Sequence, residues 1–163
     1  MTEWIRLKGE IEIRMEYVEA LLSNRMLIAA VIGWASAQII KTVINCIITK
    51  SFSFERLVGS GGMPSSHSAF VAALAVSVFK YEGPDTAIFA ACFVMAFIVM
   101  YDAMGVRRET GKQAELLNQI TQIFSANYAE FDTPERALKE LVGHTPLQVF
   151  FGGLLGILVG IMV

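Results

Sequence analysis

Hydrophobic and polar positions along this chain fall into long blocks, not short alternations. Residues 26–49 are apolar except where Gln38, Lys41 and Asn45 interrupt the second half. Residues 67–80, 85–103 and 146–163 form three further apolar blocks. About 20 apolar residues in a helix cross a hydrocarbon core of about 30 Å, so these blocks predict a helical membrane bundle of about four spans. The second is short for a span unless the glycine-rich approach to it is itself sunk in the bilayer.

The polar segments complete the expected organisation. Residues 3–23 mix charge with Trp4, Ile5, Ile11, Ile13, Met15, Val18, Leu21 and Leu22, which predicts an amphipathic N-terminal helix. It has no uninterrupted apolar centre, so the first span is expected to act as an uncleaved anchor. Glu82-Gly83-Pro84-Asp85 reads as a tight turn. The 105–141 stretch reads as surface helices, with Asp132 or Thr133 capping the second. The organisation expected is an N-terminal segment, 1–25, and a membrane-embedded domain, 26–163.

Four spans carry the two long polar loops, 50–66 and 103–147, to one side of the bilayer. Lys50, Arg56, Arg107, Arg108, Lys112, Arg136 and Lys139 lie there, against Arg6, Lys8, Arg14, Arg25 and Lys80 opposite. The positive-inside bias then places the loops in the cytoplasm. The same topology brings His67 and His144, the two histidines of the chain, to one face.

Composition agrees with this picture. Hydrophobic residues make up 55% of the chain, above the roughly 45–50% of soluble domains. Mean hydropathy is +0.55. The net charge of −2 gives no basic field for nucleic acid. Cys46 and Cys92 sit inside apolar blocks and match no metal or disulfide pattern, so both are expected as small buried hydrophobes.

Three segments carry candidate chemistry. Gly61-Gly62-Met63-Pro64-Ser65-Ser66-His67-Ser68 combines flexible glycines with a helix start. Free N–H groups and a partial positive charge at such a start attract an anion, and His67 can hold a proton beside it. In Gly143-His144-Thr145-Pro146-Leu147-Gln148, Gln148 lies one helical turn after His144. Its carbonyl can accept from one imidazole nitrogen and leave the other as a nucleophile. In Tyr101-Asp102-Ala103-Met104-Gly105-Val106-Arg107-Arg108, adjacent arginines offer bidentate phosphate contacts, and Asp102 at a helix C-terminus calls for a cation such as Arg107 or Arg108. Taken singly, each segment also fits a plain capped helix or a topology-setting charge. Together with Lys41 they supply an acid, a nucleophile and cationic cover, which phosphoryl transfer needs. The cations come from Arg and Lys, with no carboxylate cluster for a metal and no cofactor expected.

These motifs resemble those of the type-2 phosphatidic acid phosphatase and vanadium haloperoxidase superfamily. Pro64-Ser65-Ser66-His67 is similar to its P-S-G-H motif. His144 to Gln148, followed by the Gly152 and Gly156 helix, is similar to its H-x-x-x-D motif and G-x-x-x-G helix. From about residue 26 onward, including Tyr101–Arg108, the chain looks like a divergent branch of small membrane proteins. The resemblance implies that His67 protonates the leaving group, that His144 attacks phosphorus to give a phosphohistidine, and that Ser65 and Ser66 hold phosphate oxygens. Three features depart from the pattern: Gln148 stands for the orienting aspartate, Leu138 and Lys139 occupy the place of an S-R pair, and K-x6-R-P has no match. Arg107, Arg108 and Lys41 are the replacement cations.

The expected function is a metal-independent phosphatase of a lipid or polyprenyl phosphate in the bilayer. The departures motivate an alternative, a membrane protein that binds anionic headgroups as a scaffold or regulator without turnover. Vanadate-dependent oxidation is a third reading, supported by the haloperoxidase resemblance alone. Gly152, Gly156 and Gly160 form a small-residue stripe suited to close helix packing within the chain or with a second copy.

Overall fold

A computed structural model gives the architecture; it describes residues 2–50, 62–127, 138 and 143–163. Those residues form helices and short turns, with no strand among them. The helices are α1 (Thr2–Ser23), α2 (Arg25–Thr49), α3 (Ser66–Glu82), α4 (Ala87–Met104), α5 (Val106–Asn127) and α6 (Pro146–Met162). The all-helical expectation therefore holds. Two helices, α2 and the one running through α4 into α5, are long and apolar enough to cross a membrane; α6 is apolar but shorter. The second surface helix expected near Asp132 or Thr133 lies outside the described residues.

Helix α3 is the centre of the bundle and packs against α2, α4 and α6. It can do so because its inward residues are small. Ser68, Ala69, Ala73 and Ser77 have no exposed surface. Small side chains let neighbouring backbones approach closely. Gly33 of α2 sits against the Ala69 carbonyl and the Ala73 methyl. On α6, Gly152 meets the Ser65 backbone, Gly156 meets Ala69 and Ala72, and Gly160 meets Ala73 and Val76. The glycine stripe thus serves packing within the chain. Its ascending register against α3 shows that α3 and α6 run parallel. A smaller apolar cluster of Val71, Ala75 and Ala96, flanked by Phe70, Cys92, Val99 and Met100, joins α3 to α4.

Large apolar side chains face outward. On α4, Phe93, Phe97 and Ile98 are each more than half exposed, and Ile39, Ile47 and Ile48 do the same on α2. A surface this apolar suits lipid better than water. Cys46 and Cys92 are half-buried, not buried as expected, because they lie beside this outer surface. Among the described residues, helix α1 touches only α2, and its residues 13–23 are exposed.

The chain reverses at Gly83, whose φ of 94° needs a glycine, as the Gly-Pro turn predicts. At this end the helix termini are tied together. The Tyr81 hydroxyl donates to the Val163 carbonyl at 2.7 Å and accepts from Arg25 at 3.3 Å. The Lys80 ammonium donates to the Ile161 carbonyl at 3.1 Å. Arg25 opens α2, while Tyr81 and Val163 close α3 and α6. The opposite end therefore collects the C-termini of α2 and α4 and the N-termini of α3 and α6.

Candidate active site

The end opposite Tyr81 holds both histidines. His67, in the first turn of α3, is exposed, and His144, just before α6, is 3% exposed. Their ring centroids are 6.3 Å apart with planes at 60°. The loop approaching α3 is drawn into the protein, with Pro64 and Ser65 buried.

Two helix starts are fastened to each other here. Ser65 is the N-cap of α3, and its hydroxyl accepts from the Ser68 N–H at 3.4 Å and from the Ser68 hydroxyl at 3.0 Å. The Ser65 N–H donates to the Gln148 carbonyl in the first turn of α6 at 3.0 Å. Thr145 caps α6, with Pro146 in its first turn. Parallel packing aligns the two helix dipoles, so two positive ends meet at one place. Like ends repel, and an anion between them relieves that repulsion.

The environment of His144 fixes its chemistry. Its backbone N–H donates to the Ala103 carbonyl at 3.0 Å, which ties the residue to the end of α4. Its ring Nδ1 lies 3.1 Å from Gln148 Oε1. The Thr145 N–H donates to the same Oε1 at 3.1 Å, half of a capping box completed by the Thr145 hydroxyl. A backbone N–H must meet an acceptor, so the amide presents its oxygen to both groups. A carbonyl oxygen only accepts, so Nδ1 carries the proton. In the neutral ring the lone pair is then on Nε2.

The expected cations are distributed as follows. Lys41 is 4% exposed on α2. A Cβ at Gly62 would lie 2.8 Å from its Cδ, so the lysine stem lies across the glycine. Gly62 has φ of 84°. Lys41 and the Gly62–Ser68 segment are thus one structural unit. Ser66, the first residue of α3, is buried beside them. Asp102 is half-buried near the end of α4, and Arg108 is exposed at the start of α5. Both are close in sequence to Ala103, which is tied to His144; the side chain of Arg107 lies outside the described residues.

Sequence reasoning passed over three contributors. Gln38 is 5% exposed one turn before Lys41, and its Oε1 has no partner among the described residues. Asn118 on α5 accepts from the Leu138 N–H and donates to the Leu138 carbonyl, both at 2.9 Å. The Ala103 carbonyl is the third. Gln38 was legible as a polar break in an apolar block; backbone acceptors leave no trace in a sequence. Among the described residues, no group of 3 or more His, Cys, Asp and Glu side chains comes together to hold a metal.

Residues 22–159 match the sequence model of the divergent PAP2 family. The chain belongs to that family. An uncharacterised membrane protein of Bacillus subtilis, YuiD, is 42% identical over 147 residues, covering 85% of this chain and 92% of that protein. No solved structure matches. The resemblance read from the Pro64–His67 and His144–Gly156 motifs is thereby shown at the family level, and membrane residence agrees with the relative and with the apolar helices.

Proposed function

We propose that this protein is a phosphatase of a membrane-embedded phosphate ester, working without a metal through a phosphohistidine on His144. The observation that carries the proposal is the His67–His144 pair, 6.3 Å apart, with Gln148 holding the His144 proton on Nδ1. The Nε2 lone pair of His144 attacks phosphorus, and the bond from phosphorus to the ester oxygen breaks. His67 gives its proton to that departing oxygen. Water then attacks phosphorus, the phosphorus–nitrogen bond breaks with its pair returning to Nε2, His67 takes the water proton, and phosphate leaves.

The equatorial oxygens need positive cover. Lys41, Arg107, Arg108, Ser66 and the two helix N-termini supply it in this reading. Ser65 supports the cradle as the cap of α3, and Asp102 holds an arginine near the site. The bundle spans the bilayer with α2, α3, α4 and α6, the loops on the cytoplasmic side. The substrate is a lipid or polyprenyl phosphate. The Gly152–Gly160 stripe is engaged within the chain, so a second copy would dock elsewhere on the apolar exterior.

Purified protein in vesicles should release phosphate from such lipids in the presence of a chelator. Unchanged turnover in His144→Ala would sink the mechanism. The neutral Gln148 favours a second reading, a headgroup-binding protein without turnover. It predicts affinity for lipid phosphates with no phosphate released, and a covalent phosphoryl group on His144 excludes it.

A further inference from the structure

A groove runs down the outside of the bundle between α3, α4 and α6, beginning beside the histidines. Its upper lobe, about 560 Å³, is lined by Met104, Tyr101, Pro146, Phe150 and Gly153. Its lower lobe, about 260 Å³, is lined by Ala75, Val76, Phe79, Phe89 and Phe93. Ala72, Phe97, Met100 and Ile157 line both lobes, so the two adjoin along the same helices. Every side chain of the lower lobe is apolar. Pro146 follows His144 by two residues, and Met104 follows Ala103, whose carbonyl holds the His144 backbone. The upper rim therefore belongs to the same local structure as the candidate nucleophile.

We infer that this groove holds the hydrocarbon tail of the phosphate ester, a single chain long enough to pass the bilayer midplane. The inference rests on the phosphatase reading for the position of the phosphate. The length comes from the helix. From Met104 at the upper rim to Phe89 at the lower end, the α4 rise of 1.5 Å per residue gives about 22 Å. Half of a hydrocarbon core of about 30 Å is about 15 Å. A tail filling both lobes is thus longer than one leaflet is deep, a length that an isoprenoid-length phosphate reaches without full extension. Alanines form the floor at positions 72, 75 and 96, and aromatic rings form the walls. Small floor residues leave the space, and rings cover a flexible chain with little entropy loss of their own. Phe97 is 65% exposed, so the groove is open to lipid along its side and a tail enters laterally.

The test uses a long prenyl monophosphate carrying a diazirine at its far end, in vesicles with the intact protein. After illumination, adducts are mapped by mass spectrometry. Adducts at Phe79, Phe89 or Phe93, suppressed by excess unlabelled prenyl phosphate, are the expected result. Adducts confined to the upper lobe overturn the claim about length, and adducts scattered over the outward residues of α2 overturn the site. A second arm compares Gly153→Leu with Gly153→Ala. The leucine enters the groove, while the alanine meets only the Met100 sulfur at an ordinary 3.8 Å and serves as the folded control. Gly153→Leu should reduce turnover of the long-chain phosphate at least about tenfold and spare a short, water-soluble phosphate ester. Equal loss on both substrates counts against the tail site. If wild-type protein hydrolyses neither ester yet the lower-lobe adducts form, the phosphatase reading fails and the tail site stands.

Discussion

His144 and Gln148 meet through a single hydrogen bond, Nδ1–H to Oε1 at 3.1 Å, and the amide oxygen that accepts it is held by the Thr145 N–H. One side chain thus closes the helix cap and sets the imidazole tautomer. A carboxylate in that place would do both and add a negative charge beside the imidazole. Phosphoryl transfer through Nε2 leaves positive charge on the ring, which an amide stabilises less than a carboxylate does.

Two substitutions at position 148 separate these contributions. Gln148→Leu removes the acceptor from both donors. Loss of the Gln148 half of the capping box should cost up to about 1 kcal/mol of stability, and loss of a hydrogen bond to a charged ring, about 1.5–3 kcal/mol, should slow turnover about 10- to 100-fold. Gln148→Glu keeps the geometry and adds charge, so turnover should rise. Steady-state phosphate release and thermal unfolding in detergent measure both. A slower Gln148→Glu enzyme would remove tautomer and charge control from the account.

The glycines of α6 give a contrast within one helix. A Cβ on Gly156 would lie 2.8 Å from the Ala72 methyl and 3.0 Å from the Ala69 Cα, against backbone and short side chain that have nowhere to go. Gly156→Ala should therefore destabilise by about 1–3 kcal/mol despite alanine's better helix propensity. Gly153→Ala should be neutral or stabilising by up to about 1 kcal/mol. Melting curves of the two variants check this; equal midpoints would mean that α3 and α6 are not packed as described.

Much of this was legible in advance, and the reasons are physical. Apolar blocks long enough for spans, the Gly83-Pro84 turn and the caps at Ser65 and Thr145 are encoded by residues a few positions apart. The expected topology alone put His67 and His144 on one face, since two expected spans separate the two helix starts. The central place of α3 was not legible. It depends on Ala69 and Ala73 meeting Gly33 on one side and the α6 stripe on the other, a pairing between distant segments. The same holds for Ser65, which the sequence marks as part of a helix start and whose N–H reaches across to Gln148. Local signals announce a helix start; they do not say which other helix start it is tied to.

Lys41 and Gly62 should act as a pair. Lys41→Met keeps the stem that lies across Gly62 and removes the ammonium. If that ammonium covers phosphate, affinity for a lipid phosphate should fall at least about tenfold, from a charged hydrogen bond of about 1.5–3 kcal/mol, while unfolding stays near wild type. Gly62→Ala places a Cβ on the lysine stem in a backbone conformation with φ of 84°, and should lower both binding and stability. Vesicle-binding isotherms for the two variants provide the comparison. Full affinity in Lys41→Met would assign the buried lysine to structure alone.

His67 is exposed where His144 is buried, which suits a group that exchanges protons with water between the two half-reactions. Its contribution depends on how badly the leaving oxygen needs a proton. An aliphatic alkoxide needs one, so His67→Gln should slow lipid phosphate hydrolysis by about 100- to 10,000-fold, the usual range for general acid catalysis. A nitrophenyl phosphate expels a stable phenolate unaided, so its phosphoryl transfer to His144 should be much less affected. The covalent intermediate should then accumulate on that substrate, because His67 is also the group that takes the proton from attacking water. Quenched-flow measurement of the phosphoenzyme shows the difference directly. Equal losses on both substrates, with no trapped intermediate, would mean that His67 binds the phosphate and does not move a proton.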